Sequence, residues 1–335
     1  MCIKGTGWTW GYGNTPVQNY STHFNHIHHI GLGYLSDMGC VYTLGHQPGS
    51  TVKNNICHDV QSYNYGGWAY YTDEGSRDEV FSFNIATRIK CAGHHQHYGT
   101  DNLLTNNIYT NVNVGDVPTP GRKAIRMSDC DSAIRASTHP RNVATCHPDT
   151  APTAGCCCHP GCDQGKCSSW HFEKNIVYQP TEYRGTLLES TFVHGFDNFS
   201  FDANVYWKES TNFSGVFNGT TFKDWQSAGK DVSSLIADPR FSNISTYQLA
   251  PSSPALPLGF QQIDISQVGP KGSVGPPQSH SLSRPTADLP AALDAPQLFN
   301  AGMIWSSNSP CNHGDLLTDP DTVKGRLKWA SKEVC

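Results

Sequence analysis

The chain has 335 residues, of which only 15% are charged, and a net charge of −5. That balance excludes the basic stripe of a nucleic-acid binder, and no apolar run is long enough to cross a membrane as a helix. The wealth of Gly, Asn, Ser, Thr and Tyr excludes a helical bundle and points to an all-β protein rich in turns.

Residues 1–20 carry Trp8 and Trp10 in a Gly- and aromatic-rich stretch leading into the first repeat. These tryptophans either pack on the end of the fold or offer a sugar platform. Met1 is followed by Cys2-Ile3-Lys4-Gly5, with no apolar signal region. The expectation is a chain that begins partway into a longer precursor. Thirteen cysteines and sequons at Asn19, Asn198, Asn212, Asn218 and Asn243 together favour a secreted glycoprotein.

A short phrase then recurs: Asn or another polar residue, then Ile or Val, then a half-buried tail. It appears as Asn25-His26-Ile27, Asn54-Asn55-Ile56, Phe83-Asn84-Ile85, Asn106-Asn107-Ile108, Lys174-Asn175-Ile176 and Ala203-Asn204-Val205. Ile27 to Ile56 is 29 residues, Ile56 to Ile85 is 29, Ile85 to Ile108 is 23, and Ile176 to Val205 is 29. Such a period with short apolar strands predicts a right-handed parallel β-helix over residues 1–266. Ile27, Ile56, Ile85 and Ile108 are expected to stack inside it. The asparagines are expected to stack at one corner as a ladder of amides.

In the first repeat, His23, His26 and His28 have a spacing that resembles a metal cluster. On a strand, His26 and His28 share one face while Ile27 is buried. No metal site is expected, because zinc needs three or four converging ligands.

Residues 63–99 concentrate aromatic, acidic and histidine side chains. They include Trp68, Tyr71, Asp73, Glu74, His95 and His97. A core does not need this mixture, since Asp, Glu and His seldom form cores. It is the composition of a polar site with aromatic walls. The glycines suggest a stacking register: Tyr42-Thr43-Leu44-Gly45 under Thr72-Asp73-Glu74-Gly75, under Gln96-His97-Tyr98-Gly99. Asp73 or Glu74 then lies one strand spacing, about 5 Å, from His97. Asp37 precedes the same column, so the carboxylates and histidines are expected to line one exposed groove.

Arg126 sits in a strand-like segment. Beyond it, a Cys-rich insertion at about 140–168 contains Cys146, Cys156-Cys157-Cys158, Cys162 and Cys167. A disulfide-bonded loop is favoured over a zinc knuckle in a secreted chain. The repeat resumes through residues 170–250 and closes near Asp264. Residues 267–300 read as a Pro-, Gly- and Ser-rich linker. Residues 301–335 read as a small extension in which Cys311 and Cys335 are available to pair.

The phrases around Ser36-Asp37-Met38-Gly39, Tyr71-Thr72-Asp73-Glu74-Gly75-Ser76 and His95-Gln96-His97-Tyr98-Gly99 resemble glycoside hydrolase family 141. The later phrases Asp224-Trp225-Gln226, Ile236-Ala237-Asp238-Pro239 and Ser253-Pro254-Ala255-Leu256 match as well. The resemblance covers about residues 5–270. It implies a pectate-lyase-like superhelix that hydrolyses a plant or algal polysaccharide with two Asp residues. Asp37 and Asp73 fit best, and Glu74 competes. The Cys-rich insertion, His94 and Ser128 depart from the family pattern.

The leading expectation is therefore a secreted glycoside hydrolase acting on a polysaccharide or oligosaccharide without a cofactor. One carboxylic acid protonates the leaving oxygen, and the other carboxylate activates water or attacks. Trp68 and Tyr71 stack on the sugar, His95 and His97 hydrogen-bond it, and Arg126 binds an anionic or hydroxyl-rich subsite. A polysaccharide lyase, for which Ca²⁺ is possible, and a non-catalytic glycan-binding or structural protein are the alternatives.

Overall fold

The computed structural model describes residues 3–4, 18–63, 66–73, 75–97, 99–112, 132–137, 170–179, 186–190, 199–208, 217 and 219–270. All of them belong to one compact unit, Met1–Ser279. Glu74, Arg126, Asn198, Asn212, Asn218, the Cys-rich insertion, the linker beyond residue 270 and the 301–335 extension lie outside the described residues.

The structure is built on three parallel sheets. The first contains Ile3–Lys4, Gly39–Thr43, Trp68–Thr72, His94–His97, Ser132–Ser137 and Thr186–Ser190. The second contains Ser21–His23, Thr51–Lys53, Val80–Ser82, Asn102–Thr105, Trp170–Glu173 and Phe199–Asp202. The third runs from His26–Ile30 through Ile56–Val60, Ile85–Ile89, Ile108–Val112, Ile176–Gln179 and Val205–Lys208 to Leu235–Ile236. From Ile3–Lys4 to Val205–Lys208 the paired strands are three places apart in the chain, so the backbone visits the sheets in rotation. This all-β arrangement is compatible with a parallel β-helix. Among the described residues the one α-helix is Phe222–Ser227, whose first turn is capped by the Thr221 hydroxyl.

Local sequence explains the corner between the second and third sheets. Phe24, Asn54, Phe83, Asn106, Lys174 and Ala203 all have φ between 54° and 57°. A left-handed non-glycine residue costs about 1–2 kcal/mol, so something must hold each corner in place. The asparagine that follows does so. Asn55 Oδ1 accepts from the Asn25 backbone N–H and from its Nδ2, both at 2.9 Å. The same pair of bonds links Asn55 to Asn84, Asn84 to Asn107, Asn107 to Asn175, and Asn175 to Asn204. Each inner asparagine also donates Nδ2 to a carbonyl of the second sheet, as Asn84 does to Val52 at 2.8 Å. The ladder ends on Ser234 and Asp231. These amides are buried and satisfied, as burial demands.

The isoleucine column differs from expectation in two ways. The register is His26, Ile56, Ile85, Ile108, Ile176, Val205, and Ile27 instead aligns with Cys57, Ala86, Tyr109, Val177 and Tyr206. The asparagines set the register, and Asn25 is followed by His26 where the other repeats place an aliphatic residue. The Ile56 column also belongs to a separate apolar cluster from Ile27. Alternate residues of a strand face opposite sides. The Ile27 row faces the residues of the other sheets, including Val41, Val52, Tyr70 and Phe81. The Ile56 row packs against Tyr247, Leu249, Ala255, Phe260, Ile263 and Val268. The C-terminal segment thus covers this face, and it is anchored by reciprocal bonds between Asn106 and Gln261 and by Gly269 N–H to the Phe24 carbonyl at 2.8 Å.

A disulfide joins Cys40 of the first sheet to Cys57 of the third. The sequence alone gave no sign of this pairing. Of the sequons, Asn19 and Asn243 are described, and both are exposed.

Candidate functional site

The candidate site lies on the first sheet. Gly66 and Gly67, at φ +83° and +82°, lead the chain into the strand Trp68–Thr72. A Cβ on Gly66 would sit 2.9 Å from the backbone nitrogen of Asp37. Glycine is required there because the Asp37 corner, itself at φ 52°, passes directly against it.

Tyr42, Tyr71 and His95 are neighbours across three strands, and Thr43, Thr72 and Gln96 form the next row. The glycine-based register is therefore one residue out between the first two strands. The step from Tyr71 to Gly75 is one residue longer than that from Tyr42 to Gly45, so glycines mark the corners without marking equivalent positions. Between the second and third strands the expected register holds, since Thr72 pairs with Gln96. Asp73 and His97 follow these two and meet: His97 Nδ1 lies 2.7 Å from Asp73 Oδ1.

Thr72 and Gln96 turn inward and share a hydrogen bond of 3.4 Å. Alternation puts Tyr71, Asp73, His95 and His97 on the other face. There the rings form a layer. Trp68 and His95 stack with centroids 4.2 Å apart, Trp68 and Tyr71 lie 4.4 Å apart, and Tyr42 and Tyr71 lie 4.8 Å apart. His95 and His97 stack more loosely, at 6.0 Å.

Two tyrosines feed the carboxylates. The Tyr42 hydroxyl donates to Asp73 Oδ2 at 2.5 Å. The Tyr71 hydroxyl donates to Asp37 Oδ1 at 3.2 Å. Burial, then the charges of Asp73 and Asp37, then Tyr42, push the Tyr71 hydroxyl well above its ordinary range. It therefore stays a proton-bearing donor between two carboxylates.

The set is less open than a groove. Trp68, Tyr71, Asp73 and His95 are buried, while Asp37 is half-buried. His97 is the door to solvent, with 31% of its side chain exposed against 2% for Asp73. The ring layer that stacks over the strands is what closes the site.

Tyr42 was singled out in sequence only as part of a phrase, and its bond to Asp73 was not foreseen. The available signal was its alternation with Thr43 beside Tyr71. His94, a departure from the resemblance, lies fully buried between Phe81 and Trp170. Its Nε2 meets Thr72 Oγ1 at 3.2 Å, and burial drives its pKa down to about 3.

A second polar cluster lies on the third sheet. His28 aligns with His58, and His26 Nε2 lies 2.7 Å from His58 Nε2. His58 Nδ1 is held by Asp59 at 2.6 Å, and Arg88 grips both oxygens of Asp59 at 2.6 and 2.8 Å. His23 is elsewhere, bonded to Thr51 Oγ1 at 2.7 Å. Among the described residues no group of three or more His, Cys, Asp or Glu side chains is arranged to hold a metal ion, and no helix is long and apolar enough to cross a membrane.

No family model, no curated protein and no solved structure matches this chain.

Proposed function

We propose that the chain is a secreted right-handed parallel β-helix that hydrolyses a plant or algal polysaccharide, with Asp37 and Asp73 as its two carboxylates. One observation supports this reading: within one aromatic layer, Asp37 and Asp73 each accept from a tyrosine hydroxyl, Tyr71 and Tyr42, whose rings lie 4.8 Å apart. A carboxyl separation of about 5–5.5 Å makes such an enzyme retaining, and about 6.5–9.5 Å makes it inverting. Asp37, nearer solvent, protonates the leaving oxygen. Asp73, oriented by Tyr42 and His97, attacks the anomeric carbon or activates the water that does. Glu74 remains the competing carboxylate. Trp68 and Tyr71 form the apolar wall. The disulfide and the exposed sequon asparagines support an extracellular setting.

The burial of Asp73 favours a second reading. Both of its oxygens are already occupied, by Tyr42 and His97. That suits a non-catalytic glycan-binding or structural protein whose carboxylate only holds the corner. Incubation of the full chain with a panel of plant and algal polysaccharides separates the two. New reducing ends support hydrolysis, and the anomer released first, followed by proton NMR, decides between the retaining and the inverting route. Binding without cleavage across the panel supports the second reading.

A further inference from the structure

Asp73 is poorly placed to meet a sugar itself. Only 2% of its side chain is exposed, against 31% for His97. Both of its oxygens are taken, Oδ2 by the Tyr42 hydroxyl at 2.5 Å and Oδ1 by His97 Nδ1 at 2.7 Å. The imidazole is therefore the part of this pair that solvent reaches. It is also held in place. Asp73 fixes one ring nitrogen, and His95 stacks beside the ring at 6.0 Å with an interplanar angle of 20°. Trp68 stacks on His95 in turn, at 4.2 Å. A carboxylate only accepts, so Nδ1 is the nitrogen that donates. A neutral imidazole that donates from one nitrogen carries its lone pair on the other, here Nε2. A buried carboxylate that orients a histidine in this way prepares it to take a proton.

We propose that His97 is the general base of the site and Asp73 its positioning residue, so that the sugar is cleaved by direct attack of water. This deepens the hydrolytic reading above and rests on it. His97 Nε2 takes a proton from a water whose oxygen bonds to the anomeric carbon. The bond from that carbon to the glycosidic oxygen breaks, and the leaving oxygen takes the proton of Asp37. The imidazolium then gives its proton to solvent, and Asp37 takes one up from it. No bond forms between sugar and protein, so the anomer released first has the inverted configuration. The competing account is that the Asp73–His97 pair only supports the corner after the strand Trp68–Thr72.

Kinetics of the full chain on a polysaccharide that the wild type cleaves separate these accounts. An asparagine places an amide N–H near the position of Nδ1 and has no group at Nε2. His97→Asn should lower kcat about 10²–10⁴-fold, with KM little changed and the melting temperature near that of the wild type. His97→Ala should fall as far, and added imidazole should restore part of its rate in proportion to concentration. Asp73→Asn should lose kcat and gain nothing from imidazole. Proton NMR should show the inverted anomer first. First release of the retained anomer overturns the proposal and leaves hydrolysis standing, with Asp73 as the nucleophile. Full activity in His97→Asn overturns it as well. So does a loss in His97→Ala that tracks the melting temperature and does not respond to imidazole. If the wild type cleaves no polysaccharide of the panel, the hydrolytic reading fails and the proposal falls with it.

Discussion

Tyr71 donates its hydroxyl to Asp37 at 3.2 Å, from a strand that also carries the chain on to Asp73. Burial and both carboxylates keep that hydroxyl protonated. Tyr71→Phe keeps the ring stacked on Trp68 and removes only the donor. A hydrogen bond to a charged group contributes about 1.5–3 kcal/mol. The expected outcome is a roughly 10- to 100-fold fall in turnover with a native circular-dichroism spectrum. Turnover unchanged in Tyr71→Phe would detach the tyrosine from the chemistry.

Gly66 should be intolerant of a side chain. Its φ is +83°, and a Cβ would press on the Asp37 backbone at 2.9 and 3.1 Å. Gly66→Ala must displace the Asp37 corner. A loss of about 1–3 kcal/mol is expected from the strained backbone, together with a fall in activity larger than that of Gly33→Ala. Gly33 also has a positive φ, but a Cβ there meets nothing within 4 Å. Urea titration and initial rates on the two variants check this.

The asparagine ladder should be worth most in its middle. Asn84 accepts two bonds from Asn55 and donates to Val52 and Asn107. Asn84→Ala leaves a buried backbone N–H of Asn55 without a partner, so a loss of about 2–4 kcal/mol is expected. Asn25, half-buried at the end of the ladder, should lose less on substitution. Equal losses at both positions would mean that the ladder is not a cooperative support.

Acid should destabilise the fold through histidine. Burial, then the charges of His58, His28 and Arg88, lower the pKa of His26 to about 4, and Asp59 only partly offsets them. Burial likewise lowers His58 against the pull of Asp59, and holds His94 at about 3. These folded-state values lie below the ordinary 6.5 of an unfolded histidine. The unfolded chain therefore binds more protons below that pH. Stability is full above about pH 6.5 and is lost as pH falls towards 4, with His94 extending the loss further. Burial would raise Asp59, but the Arg88 and His58 bonds hold it below its ordinary value. Its contribution is present above pH 3.8 and disappears at lower pH. Urea unfolding between pH 4 and 8 should show this slope, and His94→Phe should flatten it at the acid end.

The repeat was readable because each corner needs the same device. A polar amide follows a left-handed residue, so Asn recurs where the backbone must be satisfied. The column was misaligned because His26 takes the aliphatic place beside Asn25. Its second apolar environment was unreadable locally, since the segment that covers Ile56 and Ile85 lies at Tyr247–Val268, far along the chain. The pairing of Asp73 with His97 was readable, because each directly follows the matched residues Thr72 and Gln96. The burial of the site was not, because the stacking of Trp68 on His95 depends on strand register and not on sequence distance.

The central claim is that Asp37 and Asp73 act together on a glycosidic bond. The most direct measurement is reducing-sugar release by wild type, Asp37→Asn and Asp73→Asn on one polysaccharide that the wild type cleaves, with sugar binding measured in parallel. The predicted result is loss of release by at least about 10³-fold in each variant, with binding largely intact. Full activity in both variants would contradict the account and leave these carboxylates as supports of the fold.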